Sequence, residues 1–303
     1  MTRIVVVGSL NLDLVMQTPR LPALGETLLG GPFSTAEGGK GANQSVACAR
    51  MGASVDHLGK VGDDPFGGRL LESLLREGVG VAGVHACPDA PTGVAQISVA
   101  GGDNAIVVAP GANGRLTPQD LRADARLFDG AGAALFQLEV PLDAVAEGLD
   151  LARSRGVPTI LNPAPWQPLP QEVLDRVDTL VLNRVELAQC SGREGAEEGL
   201  ERILERGVPR VVLTAGAEGA YYRTREERGR VPAPQVRVVD TTGAGDTFVG
   251  AFAVLLAEGA SLEEAVRWGV HAGALACTRL GAQPSIPVRR EVEAFLGERS
   301  APR

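Results

Sequence analysis

Residues 159–214 read TILNPAPWQPLPQEVLDRVDTLVLNRVELAQCSGREGAEEGLERILERGVPRVVLT. Three short apolar runs stand in this stretch, Thr159–Asn162, Thr179–Asn183 and Val211–Thr214, and the last two are separated by an amphipathic segment, Ala196–Arg206. Runs apolar at nearly every position predict strands buried on both faces. Amphipathic helices between them predict crossovers, so the segment reads as part of a mainly parallel sheet covered by helices. The same rhythm holds outward along the chain. Strands are predicted at Ile4–Gly8, Val55–Lys60 and Ala133–Gln137, and helices at Asn43–Arg50, Gly67–Arg76, Leu142–Ser154, Thr247–Glu258, Leu262–Thr278 and Arg289–Leu296. The fold class is α/β, and ligands of such folds sit in loops at the carboxyl ends of the strands.

Two stretches break the rhythm. Residues 12–35 are rich in Gly and Pro. Residues 92–108, TGVAQISVAGGDNAIVV, carry two alternating runs around Gly101-Gly102-Asp103-Asn104, a hairpin signature. Both are assigned to a small β appendage, a lid over the site, which leaves residues 1–11, 36–91 and 109–303 as a discontinuous α/β domain. A surface hairpin without a role is the alternative. The end, Glu298–Arg303, is predicted to fray.

The chain has 303 residues, 44% hydrophobic and 22% charged, with a formal net charge of −8. That suffices for a large core. An acidic chain lacks the positive field that attracts nucleic acid or an anionic membrane, so neither is expected as a partner. A phosphorylated substrate would have to be held locally. Cys48, Cys87, Cys190 and Cys277 are scattered, without a C-x-x-C pair, and read as reduced thiols of a cytoplasmic protein. His85 and Cys87 lie close together but lack a second ligand pair at zinc spacing. No apolar run reaches membrane-spanning length, and MTRIVVVG reads as a buried first strand rather than a signal peptide. Only Lys40 and Lys60 are lysines among 29 basic residues, which draws attention to a lysine inside a glycine-rich stretch.

That stretch, Glu37–Ser45 (EGGKGANQS), is not a P-loop, because no Ser or Thr follows Gly-Lys and the upstream glycine is absent. Its glycines clear space against the backbone, and Asn43 offers a donor and an acceptor to a hydroxyl; an ordinary loop-to-helix turn is the alternative. The stronger signal is Asp240–Gly250, DTTGAGDTFVG. Gly243, Ala244 and Gly245 precede Asp246 at the mouth of an apolar helix, where unpaired amides and the helix dipole favour an anion. The arrangement suits a phosphoryl group in transfer, and the carboxylate of Asp246 suits proton abstraction from an attacking hydroxyl. Asp246 as a plain helix cap is the alternative, but a cap needs no glycine run. Asn11 and Asp13, at i, i+2 after the first strand, point to one side of an extended segment and suit vicinal hydroxyls, or form a simple turn.

The two glycine-rich segments, in this order and about 200 residues apart, together resemble the paired signatures of the ribokinase-type sugar kinases, the PfkB family. The first runs Gly38–Gly62 with Asn43, Gly52 and Gly62 at the family spacing. The second runs Asp240–Ala251. GSLNLD, TGVA, QLEVP, LNPAP and TRLGAQPSIP extend the likeness over essentially the whole chain.

The resemblance implies a three-layer α/β/α fold with a small β-sheet lid that often forms a homodimer interface. It implies transfer of the γ-phosphoryl group of ATP to a sugar, with the members acting on the 5-hydroxyl of D-ribose the nearest match. By resemblance the sugar is held by Asn11, Asp13, Gly39, Lys40, Asn43, Glu139 and Asp246. Asp246 is the base, and Gly243, Ala244 and Gly245 form the anion hole. The nucleotide is expected at Asn183, at Thr214, Ala215, Gly216, Ala217, Glu218 and Gly219, at Gly245, and near His271. Asn183 and Glu186 match an N-x-x-E element that orders Mg²⁺ through water; a solvated first-turn glutamate is the other reading of Glu186. A K⁺ site is implied at Asp240, Thr242, Ala276, Arg279, Gly281 and Ser285, mostly through carbonyls. A kinase of the same family acting on fructose, deoxyribose or a nucleoside is the nearest rival, and a sugar sensor without activity is the rival from another class.

Overall fold

The computed structural model describes residues 1–101 and 103–300. The predicted turn residue Gly102 and residues 301–303 of the predicted frayed end lie outside the described residues.

Thirteen strands are described: β1 (Arg3–Val7), β2 (Asn11–Gln17), β3 (Phe33–Gly38), β4 (Ser54–Gly62), β5 (Val79–Cys87), β6 (Gly93–Ala100), β7 (Asp103–Ala109), β8 (Ala133–Phe136), β9 (Thr159–Leu161), β10 (Thr179–Asn183), β11 (Arg210–Thr214), β12 (Ala220–Arg223) and β13 (Arg228–Val231). Nine of them form one sheet in the order β13-β12-β11-β10-β9-β8-β1-β4-β5. It is parallel from β11 to β5, with β12 and β13 added antiparallel at one edge. The other four form a second sheet, β3-β2-β6-β7.

Ten helices pack with these strands, seven between them and three after the last: α1 (Lys40–Arg50), α2 (Pro65–Arg76), α3 (Pro118–Ala123), α4 (Leu142–Ser154), α5 (Gln171–Leu174), α6 (Arg184–Ser191), α7 (Ala196–Glu205), α8 (Ala244–Ala257), α9 (Leu262–Ala276) and α10 (Arg289–Ser300). They cover the large sheet on both faces, because successive residues of a strand point to opposite sides. In β1, Ile4 and Val6 pack with Phe248, Phe252 and Val266 of α8 and α9, whereas Val5 and Val7 pack with Val145 and Leu149 of α4. The predicted three-layer α/β/α architecture is the one found.

Several elements differ from the sequence expectation. The short helices α3, α5 and α6 are not among the predicted ones. β5, β12 and β13 are strands that apolar periodicity does not signal, because Gly80, Gly83 and His85 interrupt the first, the second is only four residues ending in Arg223, and Arg228, Gly229 and Arg230 make up most of the third. Here strand pairing, not local pattern, sets the structure. The small sheet also takes in Asn11 at the start of β2 and Thr35–Gly38 of β3, residues that sequence places at its edge or outside it. Among the described residues no helix is long and apolar enough to cross a membrane.

The chain crosses between the two sheets where the large sheet's strands end. β1 leads through Gly8–Leu10 straight into β2, and β3 leads through Gly39 into α1. Asn113 staples the first crossing: its Oδ1 accepts from the amide of Leu10 at 2.9 Å, and its Nδ2 donates to the Leu10 carbonyl at 3.0 Å. At the second, Gly39 has φ +90°, and a Cβ there would meet the Asn11 amide nitrogen at 2.7 Å, so only glycine fits.

Candidate active site

At the carboxyl ends of β1, β8, β9, β10 and β11, three cavities adjoin one another. The first, about 300 Å³, lies under the small sheet and is polar at its floor, with Asn11, Asp13, Lys40, Asn43, Glu139 and Asp246 around it. Its roof is mostly aliphatic, with Ala95, Ile97, Ile106 and Val108 beside Asn104. Phe33, the one aromatic residue of residues 12–35 and 92–108, is exposed on β3 and does not line it. The second cavity, about 220 Å³, shares Lys40, Gly243 and Asp246 with the first and continues past Asn183 and Glu186 to Thr214. The third, about 180 Å³, shares Thr214 and Gly245 with the second and is an apolar slot between Gly219, Phe248, Val270 and Ala274. A polar cup, a narrow passage floored by glycine amides and an apolar slot thus follow in line.

Asp246 stands where cup and passage meet. It is the third residue of α8, which begins after Gly243, and it is buried. Each carboxylate oxygen already accepts one amide hydrogen bond, Oδ2 from Asn43 Nδ2 at 2.9 Å and Oδ1 from Gln44 Nε2 at 3.1 Å. Both donors come from the first turns of α1, so the two glycine-rich segments are joined through this side chain. An ionised carboxylate so held keeps lone pairs for a hydroxyl proton.

Glu139 organises the rim of the cup. Its Oε2 accepts from Ser9 Oγ at 2.5 Å, from the Lys40 amide at 3.1 Å and from Asn11 Nδ2 at 3.4 Å. Asn11 is itself oriented, because its Oδ1 accepts from Asn113 Nδ2 at 2.7 Å. Asp13 is buried beside them. Burial, with the charges of Glu139, Asp246 and Glu37, raises its pKa from the ordinary carboxylate value to about 7. Lys40 is the countercharge. Burial works to lower its pKa, but Asp246, Glu139 and Glu186 outweigh it and hold the ammonium above its ordinary value.

In the passage, Asn183 and Glu186 close on each other. Asn183 Oδ1 accepts from the Glu186 amide at 2.9 Å, while Glu186 Oε2 accepts from the Asn183 amide at 2.8 Å and Oε1 from Asn183 Nδ2 at 2.9 Å. This is a reciprocal cap on α6. Glu186 is buried, not a solvated first-turn residue. Burial raises its pKa above the ordinary value, against the lowering by the Asn183 amide and Lys40 and with the raising by Asp246.

The residues expected around the nucleotide separate into two groups. Thr214, Gly216, Gly219 and Gly245 line the slot. Ala215 and Ala217 belong to the same turn but are not among its walls. Glu218 turns outward, paired with Arg184 at 2.6 Å and accepting from Tyr221 Oη at 3.0 Å. His271 does not enter the slot: its ring lies edge-on to Phe295 at 5.6 Å, and its Nδ1 lies 2.8 Å from the Arg267 carbonyl. The helical period explains this, because Val270, Gly273 and Ala274 of α9, with Cys277 just after it, share the slot-facing side and residue 271 falls outside it.

The loops named for a cation are tied together by Asp240. Its Oδ1 accepts from the amide and hydroxyl of Thr242 at 2.9 and 2.7 Å, and its Oδ2 accepts from the Gly281 amide at 2.8 Å. Burial opposes ionisation there, but these donors hold the carboxyl below its usual pKa. Ala276 ends α9, where its carbonyl accepts from the Arg279 amide at 3.1 Å. Arg279 pairs with Glu291 at 2.6 Å, and the buried Ser285 donates to the Ala282 carbonyl at 2.7 Å.

Several site residues escape a sequence reading. Gln44, Gln137 and Asn162 form the polar backing of Asp246, and Asn113 orients Asn11. A polar residue closing an apolar strand run, as in QLEVP and LNPAP, is the signal that could have found Gln137 and Asn162. The apolar slot gives no such signal, since its walls read as core.

The chain matches the pfkB family of carbohydrate kinases over residues 1–289. It is 40% identical over 296 residues to ribokinase of Bacillus subtilis, spanning 98% of this chain and 100% of that one. Its fold is similar to a ribokinase from Thermotoga maritima, with a TM-score of 0.90 at 36% identity over 98% of this chain and 100% of the other. It is also similar to an Arabidopsis thaliana ribokinase complexed with ribose and ATP, with a TM-score of 0.91 at 34% identity over 98% and 99% of the two chains.

Proposed function

This chain belongs to the pfkB family of carbohydrate kinases, and from that we propose that it acts as an ATP-dependent ribokinase, moving the γ-phosphoryl group of ATP to the 5-hydroxyl of D-ribose. One observation carries the reading beyond family membership. Asp246 is shared by a polar cup of sugar size and a glycine-floored passage, and the passage opens into an apolar slot suited to a purine. The ribokinases to which this chain is similar, one of them complexed with ribose and ATP, support the choice of substrates.

In this reading the sugar lies against Asn11, Asp13, Gly39, Lys40, Asn43 and Glu139, with its reacting hydroxyl at Asp246. Asp246 accepts the hydroxyl proton as the oxygen attacks phosphorus in line. The amides of Gly243, Ala244 and Gly245 receive the charge that develops on the phosphoryl oxygens, and Lys40 neutralises its sugar side. The small sheet acts as the lid, residues 12–35 and 92–108, and its aliphatic underside excludes water from the attack. ADP leaves through the slot bounded by Thr214, Gly216 and Gly219.

Mg²⁺ bound with ATP would neutralise charge on the phosphates. Among the described residues no three acidic, His or Cys side chains cluster as a metal cage. This fits an ion that keeps most of its waters, and Glu186, facing the passage with Asn183, is the residue placed to accept from them. A monovalent cation, K⁺, fits between the loops of Asp240 and Thr242 and of Ala276, Arg279, Gly281 and Ser285, where it would stiffen the backbone leading into Gly243. We assign the protein to the cytoplasm on its four unpaired thiols, and a homodimer through the lid on the exposed apolar residues described below.

The test is ADP release from MgATP with D-ribose, 2-deoxyribose, fructose and adenosine, with and without K⁺. Ribose-dependent turnover that rises with K⁺ is expected. Turnover on another acceptor alone overturns the substrate, and silence on all four favours a sensor. Asp246→Asn should lower kcat by at least about a thousandfold with the melting temperature retained, the scale of losing a positioned base together with its charge.

A further inference from the structure

Behind Asp246 lies a chain of buried carboxamides, of which Asn162 reaches the passage and Gln44 and Gln137 touch neither passage, cup nor slot. Gln44 and Gln137 are both 0% exposed. Gln44 Nε2 donates to Asp246 Oδ1 at 3.1 Å and to Asn162 Oδ1 at 3.3 Å, which uses both of its protons. Asn162 is fixed in turn, because its Nδ2 donates to the Val181 carbonyl at 2.9 Å. Gln44 Oε1 accepts from Gln137 Nε2 at 2.6 Å.

A carboxamide can be seated two ways, and here only one is tolerable. Reversed, Gln44 would turn its oxygen toward the Asp246 carboxylate and the Asn162 oxygen, and its NH₂ toward the NH₂ of Gln137. The Asp246 and Asn162 oxygens and the Gln137 donor therefore agree on which end of Gln44 faces Asp246, and Gln137 is the one of the three that holds the Gln44 oxygen. The arrangement carries a cost that packing alone does not explain. Gln137 Oε1 is buried without a hydrogen-bond partner among the described residues. It rests against Gly8, where a Cβ would come within 2.0 Å of it. An apolar side chain of the same size would fill this space without an unsatisfied oxygen.

We propose that Gln44 and Gln137 are positioning residues for the base: Gln137 sets the orientation of the Gln44 carboxamide, and Gln44, with Asn43 on the other oxygen, fixes the plane of the Asp246 carboxylate before the sugar arrives. The proposal rests on Asp246 being the base. Neither glutamine lines the sugar cup, so their loss acts on the chemical step rather than on binding.

The experiment compares Gln44→Met, Gln137→Met and the double variant with the unchanged protein, using D-ribose and MgATP, with melting temperatures measured alongside. Each single change is expected to lower kcat roughly 10- to 100-fold, the scale of one hydrogen bond to a charged group, with the ribose KM within about threefold. The double variant should be no worse than Gln44→Met within about threefold, because Gln137 acts through Gln44. Multiplying losses, or a raised KM at unchanged kcat, overturn the proposal. If Gln44→Met does not fold, Gln137→Met decides alone, since normal kcat in that variant overturns it. Asp246→Asn separates the two levels: substantial turnover there sinks the base and the relay together, whereas an inactive Asp246→Asn beside normal glutamine variants sinks the relay only.

Discussion

Asp13 is the most strained charge in the cup, since Glu139, Asp246 and Glu37 all oppose its ionisation and burial opposes it more. Its folded pKa, about 7, lies above that of the unfolded chain, near 3.8. Between those values the folded state holds a proton that the unfolded state has released, so stability falls as pH rises through the window. Above pH 7 the full cost is present, and below about pH 4 it is gone. Asp13→Asn should therefore raise the melting temperature at pH 8, a gain on the order of 1–3 kcal/mol that shrinks to nothing by pH 4. Thermal unfolding at the two pH values checks both sign and window. A sequence reading singled out Asp13, Asn11, Lys40, Asn43 and Asp246 because each stands in a segment with a chemical signature of its own, and reached Glu139 through the family resemblance. Gln44 and Gln137 stand in the same segments as Asn43 and Glu139 but have no chemistry to offer a substrate: what they contribute is orientation, which depends on which strand end faces which helix start and exists only once the chain is folded. His271 shows the opposite error, a residue on the expected helix but off the expected face.

At the scale of elements, the site is made of helix beginnings and strand ends. The starts of α1 and α8 meet head to head across Asp246, and the start of α6 closes the passage. The α6 start is held by the Asn183–Glu186 reciprocal cap, in which Glu186 uses both oxygens. Asn183→Ala should cost about 1 kcal/mol of stability, the usual value of a lost cap, readable in chemical denaturation. It should also raise the KM for MgATP severalfold, because the Glu186 carboxylate loses one of its two ties. Unchanged KM with lowered stability would leave Asn183 as a cap and nothing more. Fully apolar strands and amphipathic helices made this layer readable in advance. The antiparallel edge β12–β13 and the interrupted β5 were not, because their stability comes from neighbouring strands and not from their own composition.

For the whole molecule, the lid leaves apolar residues in the open. On the cup-facing side of the small sheet Ile106 is 49% exposed and Val108 42%, and Met16 and Phe33 are exposed elsewhere on it. A second copy's sheet laid over this one would bury them. Ile106→Glu is expected to shift the protein from dimer to monomer in light scattering and to raise the ribose KM several-fold with a smaller effect on kcat. A monomer before mutation would remove the dimer from the account. The crossings at Gly8–Leu10 and Gly39, with those from β5 to β6 and from β7 toward β8, have one more consequence. Every side chain that roofs the cup, together with Asn11 and Asp13, hangs on the small sheet, while Asp246, Lys40, the glycine amides and the apolar slot belong to the large one. On the proposed reading the roof over the acceptor and the reaction are thus written on separate pieces of the chain, with Lys40, Asn43 and Glu139 on the reaction side also meeting the sugar, so a lineage can retune its acceptor by revising four strands and inherit the phosphoryl-transfer machinery untouched.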